Sequence, residues 1–210
     1  MKALILMMGC GAIAISGCVT QGKYDQAVAE TEITRAELND KNRQLEAANA
    51  ENARTHAVYQ DTVNKLKKQI DAGELKVEIR DGRMVLDLPN DVLFDTARVD
   101  IKPDGAKDLD AVADILKSLP DRQFQIAGHT DDVPIKNGMY ASNWELSTAR
   151  ALQVIHYLEG KGVNAAQLSA TGYADVDPVA SNATAEGRKQ NRRLEITLQP
   201  NITEVHRAHK

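Results

Sequence analysis

The sequence predicts an α/β sandwich that follows a long N-terminal helix, and three observations support this prediction. Residues 23–72 contain neither proline nor glycine and are rich in residues that favour a helix. From residue 73 onward, short segments of alternating polarity alternate with segments of helical periodicity, as in folds that combine strands with helices. The last of these segments, RLEITL at 193–198, has the alternation of a half-buried strand.

The first eighteen residues have the three parts of a secretory signal. Met1 and Lys2 give a basic start, an apolar run covers 3–15, and small residues lead to Cys18. The apolar run is shorter than the roughly 20 residues that a membrane span takes, and no later segment approaches that length. We therefore predict that residues 1–17 are a signal peptide.

The residues from Ile15 to Cys18 resemble a bacterial lipobox. This resemblance implies cleavage before Cys18 and its modification by acyl chains such as palmitate, with 18–22 as a lipidated N-terminus. Val19, rather than an aspartate, follows the cysteine, which resembles the sorting class of lipoproteins held in the outer membrane. The alternative is an ordinary signal peptide that contains a cysteine.

The composition argues against several functional classes. A formal net charge of −4 without any long basic run argues against nucleic-acid binding. Both cysteines, Cys10 and Cys18, lie near the N-terminus, so the rest of the chain has no disulfide framework and no cysteine nucleophile. His129, Asp131 and Asp132 lack the spacing of a catalytic metal site, and no Gly-x-Ser-x-Gly elbow is present. We expect no enzyme, no metal and no cofactor.

The segment 23–72 has a weak heptad pattern. Its first row is mostly apolar, whereas its second row is apolar only at the two ends. The first row consists of Tyr24, Thr31, Leu38, Leu45, Asn52, Tyr59 and Leu66, and the second of Val28, Arg35, Asn42, Asn49, His56, Val63 and Ile70. The pattern permits a coiled coil that makes a homo-oligomer, with a loose middle. The alternative is a solvated helical spacer.

The first half of the domain predicts a hairpin, a helix and a strand. Residues 76–88 alternate around a central Asp-Gly pair, which is typical of a two-residue hairpin turn. After Pro103 the apolar residues follow helical spacing, and Pro120 ends that segment. The residues QFQIAG at 123–128 predict a strand.

The second half of the domain predicts two helices and two strands. Ser147 is predicted to cap a helix over 148–159, which Gly160 ends. The remaining elements are a short strand at 168–173, a brief helix that Thr184 caps and that runs through Gln190, the strand at 193–198, and a polar tail at 199–210.

Asp131 and Arg150 suggest the kind of ligand that the domain takes. Asp131 follows the strand at 123–128 directly, so it stands at the strand's carboxyl end, where open α/β sheets bind ligands. Arg150 falls in the first turn of the predicted helix, where the helix dipole disfavours a cation unless an anion docks there. Together the two charges suit a zwitterion. The alternative is a structural ion pair or two separate surface charges, and an exposed pair contributes only about 0–1 kcal/mol.

Four groups of residues occur in order along the domain. They are Phe94-Asp95 with Lys102-Pro103, Gly128-His129-Thr130-Asp131, Asn143-x-x-Leu146-Ser147-x-x-Arg150-Ala151, and Asn182-x-Thr184-x-x-Gly187-Arg188-x-x-Asn191-Arg192-Arg193. Over residues 75–198 the chain thereby resembles the OmpA-like (OmpA/MotB C-terminal) peptidoglycan-binding domain. The resemblance implies a βαβαβ domain at 73–198 with a mixed sheet and helices on one face.

The resemblance also implies a function, which is non-covalent binding of peptidoglycan through the diaminopimelate of its stem peptide. Asp131 would then meet the ammonium group of diaminopimelate, and Arg150 its carboxylate. The other site residues implied are Thr130, Asn143, Leu146, Phe94 and Asp95. With Cys18 acylated in the outer membrane and the chain facing the periplasm, the protein would tether that membrane to the cell wall. The alternative is a scaffold lipoprotein that assembles through 23–72, with wall binding secondary.

Several residues of the domain lie outside the set that the resemblance assigns to ligand binding. The loop 132–142 is longer than in many family members and looks like that of the stator-type MotB, so its contacts stay open. We expect Tyr140 and Trp144 to pack under this loop, because aromatic side chains bury large areas. We expect structural roles for the last motif's residues, namely Asn182, Gly187, Asn191, Arg192 and Arg193.

Overall fold

A computed structural model describes residues 20–135 and 139–200 of the 210-residue chain. The predicted signal peptide at 1–17, the lipidation site Cys18 and the last ten residues of the predicted tail lie outside the described residues. Contacts divide the chain into two compact units that meet in sequence between Gln44 and Leu45. None of the described helices combines the length and the apolarity that crossing a membrane requires.

The segment without proline is helical, as its composition predicts. One helix covers Gln21–Lys65 (α1), and a short one covers Lys67–Ala72 (α2). In the first unit the apolar side chains of the heptad row stand in solvent, since Tyr24 is 61% exposed and Leu38 is 58% exposed. The helical prediction is confirmed, and the oligomeric state of the segment stays a prediction.

The end of α1 belongs to the second unit and packs into it. Leu66, a member of the same heptad row, is fully buried in the core, and Thr55 and Thr62 are also buried. Glu51 forms an ion pair of 2.7 Å with Arg122. The apolar residues of this heptad row therefore lie in two environments. Those near its start, such as Tyr24, are exposed, whereas Leu66 at its end is buried in the core of the domain.

The domain contains one five-stranded mixed sheet. Its strands are Lys76–Arg80 (β1), Arg83–Pro89 (β2), Phe124–His129 (β3), Leu168–Ala174 (β4) and Arg193–Leu198 (β5). The order is β1-β2-β5-β3-β4; β3 and β4 pair in parallel, and the other three neighbouring pairs are antiparallel. Asp81 and Gly82 turn the predicted hairpin with φ of 51° and 72°, which favours a turn of type I′. The predicted mixed sheet is confirmed.

Helices cover one face of this sheet and close the core. They are Asn90–Leu93 (α3), Pro103–Lys117 (α4) and Asn143–Gly160 (α5), and a further short helix, Ala185–Asn191 (α6), precedes β5. Leu86, Ile196 and Ile126 lie directly opposite one another in neighbouring strands, and all three are fully buried. They share a core with Leu116 of α4 and Val154 of α5. Burial of this apolar surface is the main contribution to the stability of the domain.

The opposite face of the sheet carries a network of charges rather than a solvated surface. The alternation of β5 predicts a half-buried strand, but all six of its residues are buried, so that prediction is wrong. The reason is that its charged side chains neutralise one another. The Glu195 carboxylate accepts from Arg193 at 2.7 Å and from Arg80 at 2.6 Å, and Arg193 also reaches Asp177 at 3.3 Å.

Two titratable groups on this face have strongly shifted pKa values. Burial raises the pKa of Asp87 from 3.8 to about 6, and the facing carboxylate of Glu195 adds to the rise while Arg193 opposes it. Burial also lowers the pKa of His129 from 6.5 to about 4. The His129 ring stacks on Tyr173 with the centroids 5.0 Å apart. Near neutral pH, Asp87 is therefore held as a carboxylate in a place that favours its neutral form.

We predict that Asp87→Asn stabilises the domain at high pH. Because the folded-state pKa lies above the ordinary value, Asp87 favours folding at pH values below about 4, and this contribution is lost as the pH rises through about 6. The variant should therefore be about 1–3 kcal/mol more stable than the wild type at pH 8 and equal to it at pH 4. Urea unfolding followed by the fluorescence of Trp144, the sole tryptophan, measures the difference.

Asp100→Asn is the matched control, because the Asp100 side chain is 83% exposed. It should change the stability by less than about 0.5 kcal/mol at either pH. A difference for Asp87→Asn that is the same at pH 4 and at pH 8 would contradict the prediction.

Candidate functional site

A cavity of about 650 Å³ opens at the carboxyl end of β3. All seven site residues that the family resemblance implies contribute to its wall, namely Phe94, Asp95, Thr130, Asp131, Asn143, Leu146 and Arg150. The structure thus brings together residues that lie up to 56 positions apart in the sequence, from Phe94 to Arg150. Their role as ligand contacts stays a prediction.

Asp131 is buried at the end of β3 and has two partners. Its Oδ1 accepts from the backbone N–H of Val133 at 3.1 Å, and its Oδ2 accepts from Nη1 of Arg192 at 2.8 Å. The residue is 8% exposed, and it lines the cavity. Each carboxylate oxygen has two lone pairs, so acceptor capacity remains for a cationic ligand group.

Arg150 is buried on the wall of the same cavity, with backbone atoms as its acceptors. Its Nε donates to the carbonyl of Arg98 at 3.0 Å, and its Nη2 donates to the carbonyl of Asp95 at 3.3 Å. Its guanidinium carbon lies 5.1 Å from the centre of the Phe94 ring. In the described part of the chain, no carboxylate lies within 4 Å of this guanidinium. Burial consequently lowers the pKa of Arg150 from 12.5 to about 10.

The predicted start of the helix that carries Arg150 is wrong. The helix begins at Asn143, and its cap is Ser142, whose hydroxyl accepts from the backbone N–H of Trp144 at 3.1 Å. The Ser142 hydroxyl also donates to the carboxylate of Glu145, and the two residues have the Ser-x-x-Glu spacing that is typical of a helix start. Arg150 therefore lies seven residues inside the helix, and its position in the helix gives no reason to expect an anion.

Ser147, the predicted cap, lies inside the helix and links it to β4. It is fully buried in α5, where its hydroxyl donates to the carbonyl of Trp144 at 3.1 Å and accepts from the backbone N–H of Ala174 at 3.1 Å. Ser147 thus joins α5 to the end of β4. This link helps to fix the helix that presents Arg150 to the cavity.

Two asparagines hold the polypeptide around Asp131. Asn143 donates through Nδ2 to the carbonyls of Asp131 at 3.2 Å and Val133 at 3.1 Å. Asn90, at the start of α3, donates to the carbonyl of His129 at 3.0 Å. The Asp131 backbone is therefore tied to α5, and that of His129 to α3, and the carboxylate is held in one position.

Arg192 is a site residue that sequence reasoning did not identify, since a structural role was expected for it. Besides its pair with Asp131, its Nη2 approaches Asp91 at 3.5 Å, and both residues line the cavity. Burial alone would lower the pKa of Arg192, but the bond to Asp131 and the charge of Asp91 raise it above the ordinary value. The alternative of a structural ion pair between Asp131 and Arg150 is wrong, because Asp131 pairs with Arg192 instead.

The two aromatics near the loop differ in their environment. Trp144 is 50% exposed, so the expectation that it packs under the loop is wrong. Tyr140 is half-buried. Over 20–135 and 139–200 there is also no group of three or more histidine, cysteine or acidic side chains placed to hold a metal ion.

A close backbone approach sets the spacing between the strand of Asp131 and the helix of Arg150. At Gly128 in β3, a Cβ atom would lie 2.2 Å from the backbone carbonyl oxygen of Ser147 in α5. Side chains cannot relieve such a clash, because the obstacle is backbone. The glycine before the His-Thr-Asp sequence therefore lets the two walls of the cavity meet.

Comparisons with known proteins identify relatives of this domain. Residues 93–192 match the OmpA family. The probable lipoprotein YiaD of Escherichia coli is 38% identical over 136 residues, which cover 65% of this chain and 60% of YiaD. Motility protein B of Bacillus subtilis is 35% identical over 128 residues, which cover 60% of this chain and 49% of that protein.

A solved structure is similar over the domain. The cell wall anchor of the T6SS from Pseudomonas aeruginosa superposes with a TM-score of 0.61 at 37% identity, covering 66% of this chain and 96% of that one. By contrast, the chain spans about half to three fifths of the length of the curated relatives it matches.

We predict that Gly128→Ala lowers the stability of the domain, because the new methyl group forces β3 and α5 apart. The free energy of unfolding should fall by about 1–3 kcal/mol or more, as in other overpacked cores. Gly160→Ala is the control, since no atom lies within 4 Å of the Cβ that it would add. Because alanine favours a helix over glycine, this control should leave the stability unchanged or raise it by up to about 1 kcal/mol. Equal urea midpoints for the two variants would show that the approach is not tight.

Proposed function

We propose that this chain, which belongs to the OmpA family as its motifs predict, binds peptidoglycan without covalent chemistry. The ligand group is the diaminopimelate of the stem peptide. Asp131 accepts from the ammonium group of diaminopimelate, and Arg150 donates to its carboxylate. Phe94, Leu146 and the other residues of the wall shape the space between the two charges.

The observation that carries this proposal is the environment of Arg150. A cation that is only 4% exposed normally has a carboxylate partner or a ligand, because an unpaired buried charge is costly. Arg193, which is also buried, pairs with Glu195 and Asp177. Arg150 instead has two carbonyls and the face of an aromatic ring. A ligand carboxylate supplies the bidentate partner that suits a guanidinium.

Asp131 supplies the second half of the recognition. It lines the same cavity as Arg150, and its carboxylate is held by Val133 and Arg192 with acceptor capacity left over. A ligand that offers an ammonium group and a carboxylate on one carbon matches both residues at once. Diaminopimelate has such an end that stays free when its other end is part of the peptide chain.

The anchor is the second part of the proposal. Acyl chains on Cys18 hold the protein in the outer membrane, and the helical segment lets the domain reach the wall. Two of the similar proteins support this arrangement, since YiaD is a probable lipoprotein and the T6SS protein is a cell wall anchor. One cavity of this kind gives an affinity of about 4–8 kcal/mol, which is millimolar to micromolar. Attachment to the membrane raises the local concentration and offsets the weak affinity.

We predict that Asp131→Asn and Arg150→Gln each weaken binding to purified sacculi by about 10- to 100-fold. Each change removes a charge-assisted hydrogen bond to the ligand, which contributes about 1.5–3 kcal/mol. The controls are Asp132→Asn and Arg98→Gln, because neither side chain is buried and both lie outside the cavity. Co-sedimentation of the chain with sacculi measures the bound fraction. Full binding by both cavity variants would place the wall contact elsewhere.

The same experiment extends to the anchor. In cells, Cys18→Ser should move the protein from the membrane fraction to the soluble periplasmic fraction while sacculus binding persists. Mass spectrometry of the mature protein should find acyl chains on Cys18. A mature protein that begins at another residue and carries no acyl chain would refute the lipid anchor. The proposal for the cavity would be unaffected.

A second candidate function is assembly through the long helix. The observation in its favour is the exposed apolar row, since Tyr24, Leu38 and Leu45 are 58–61% exposed in one heptad position. A parallel pairing of two copies would cover this row, and the polar Asn42 of the second row is tolerated in such pairs.

We predict for this candidate that the chain forms a concentration-dependent dimer or trimer. Leu38→Ser should dissociate it, as measured by sedimentation velocity, because a buried leucine contributes about 1.5–3 kcal/mol per copy. Ile33→Ser is the matched control, since Ile33 is 60% exposed but lies outside both heptad rows. A monomer at every concentration would exclude assembly through this helix.

A further inference from the structure

The cavity wall presents more guanidiniums than one ligand carboxylate can bind, although its positive and negative side chains are equal in number. Three guanidiniums and three carboxylates line it, namely Arg150, Arg188 and Arg192 with Asp91, Asp95 and Asp131. Arg192 is already engaged, because it binds Asp131 at 2.8 Å and approaches Asp91 at 3.5 Å. Arg150 and Arg188 remain, and across the described ranges 20–135 and 139–200 neither of them has a carboxylate within 4 Å.

Arg188 is held in place by the turn that precedes its helix. Its Nη1 donates to the carbonyl of Asn182 at 2.7 Å. Asn191, which is fully buried, fixes that turn through both atoms of its amide: Oδ1 accepts from the N–H groups of Val179 and Ala180 at 2.9 Å, and Nδ2 donates to Asn182 Oδ1 at 2.7 Å. The guanidinium therefore has a fixed carbonyl on one side, and it lines the cavity.

The position of Arg188 also depends on a close backbone contact at Gly187. A Cβ at Gly187 would lie 2.0 Å from the carbonyl oxygen of Ser181, so the helix start and the turn are in direct backbone contact. Thr184 caps the helix by accepting from the N–H of Gly187 at 3.0 Å. The residues expected to be structural thus act together to hold Arg188 at the cavity wall.

We propose that Arg188 binds a second carboxylate of the same ligand. The preferred ligand is then a peptide in which the zwitterionic end of the diamino acid is accompanied by another free carboxylate, rather than by an amide. The inference rests on the proposed function, because it needs Asp131 and Arg150 to position the zwitterionic end. The inference adds a specificity, because the cavity would then discriminate between peptides in which the second group is a carboxylate and those in which it is an amide.

The chemistry of the guanidinium explains the expected discrimination. A guanidinium offers parallel N–H groups that match the two oxygens of a carboxylate, and such charge-assisted bonds are about twice as strong as neutral ones. A carboxamide has one oxygen acceptor, and its NH₂ group faces the guanidinium as a second donor. Replacing the second carboxylate by an amide therefore weakens binding only where Arg188 is present.

The test compares two ligands on four proteins. The ligands are a synthetic stem tripeptide that ends in diaminopimelate, with its main-chain carboxylate free, and the same peptide with that group as a carboxamide. The proteins are the full chain, Arg188→Gln, Arg188→Lys and Lys189→Gln, and calorimetric titration gives each Kd. Lys189→Gln is the matched control, because it removes one positive charge from the next position of the same helix, and Lys189 lies outside the cavity.

We expect the wild-type chain to bind the free acid about 5- to 30-fold more tightly than the amide, as the difference between a charge-assisted and a neutral hydrogen bond predicts. Arg188→Gln should lose this preference while its Kd for the amide stays unchanged, and Arg188→Lys should keep part of it. Lys189→Gln should keep the whole preference.

Three outcomes would overturn the inference. Arg188→Gln could prefer the acid as strongly as the wild type does. It could lose affinity for both ligands alike, which would indicate a structural role. Lys189→Gln could lose the preference too, which would indicate a general effect of charge. If the wild type bound neither peptide, the proposed function itself would fail, and that result is distinguishable from the other three.

Discussion

A buried guanidinium whose described acceptors are backbone carbonyls is the constraint on which the proposed recognition depends. Arg150 is 4% exposed, donates to the carbonyls of Asp95 and Arg98, and lies over the ring of Phe94. Arginine cannot avoid the cost of burial by losing its proton near neutral pH, even with its pKa lowered to about 10. The fold therefore maintains a positive charge at the cavity wall, and an anionic ligand group is its natural complement.

The rest of the domain holds the Asp131 carboxylate at a fixed position relative to the Arg150 guanidinium. Gly128 lets β3 touch α5, Ser147 joins α5 to the end of β4, and Asn143 ties the start of α5 to the backbone of Asp131. Each of these contacts connects the strand of Asp131 or its neighbour to the helix of Arg150. A site held by strands and helices in this way is preorganised, so little binding energy is lost in ordering it.

Much of this arrangement follows from the sequence, and the exceptions have physical causes. The strands, the hairpin turn and the Thr184 cap were predictable because each depends on residues close in the chain. The predicted start of α5 is wrong because Ser142 and Ser147 both suit a cap, although only Ser142 is followed three residues later by a glutamate. The ion pair of Arg192 with Asp131 joins residues that are 61 positions apart, and no local sequence pattern predicts it. The full burial of β5 likewise depends on partners elsewhere, such as Arg80 for Glu195.

The most direct measurement is a structure of the chain with a bound stem tripeptide that ends in diaminopimelate. We expect the ammonium of its free end to lie within hydrogen-bond distance of the Asp131 carboxylate, and the adjacent carboxylate to lie on the Arg150 guanidinium. A ligand bound on the opposite face of the sheet, or one that enters this cavity with its carboxylate turned away from Arg150, would contradict the proposed recognition.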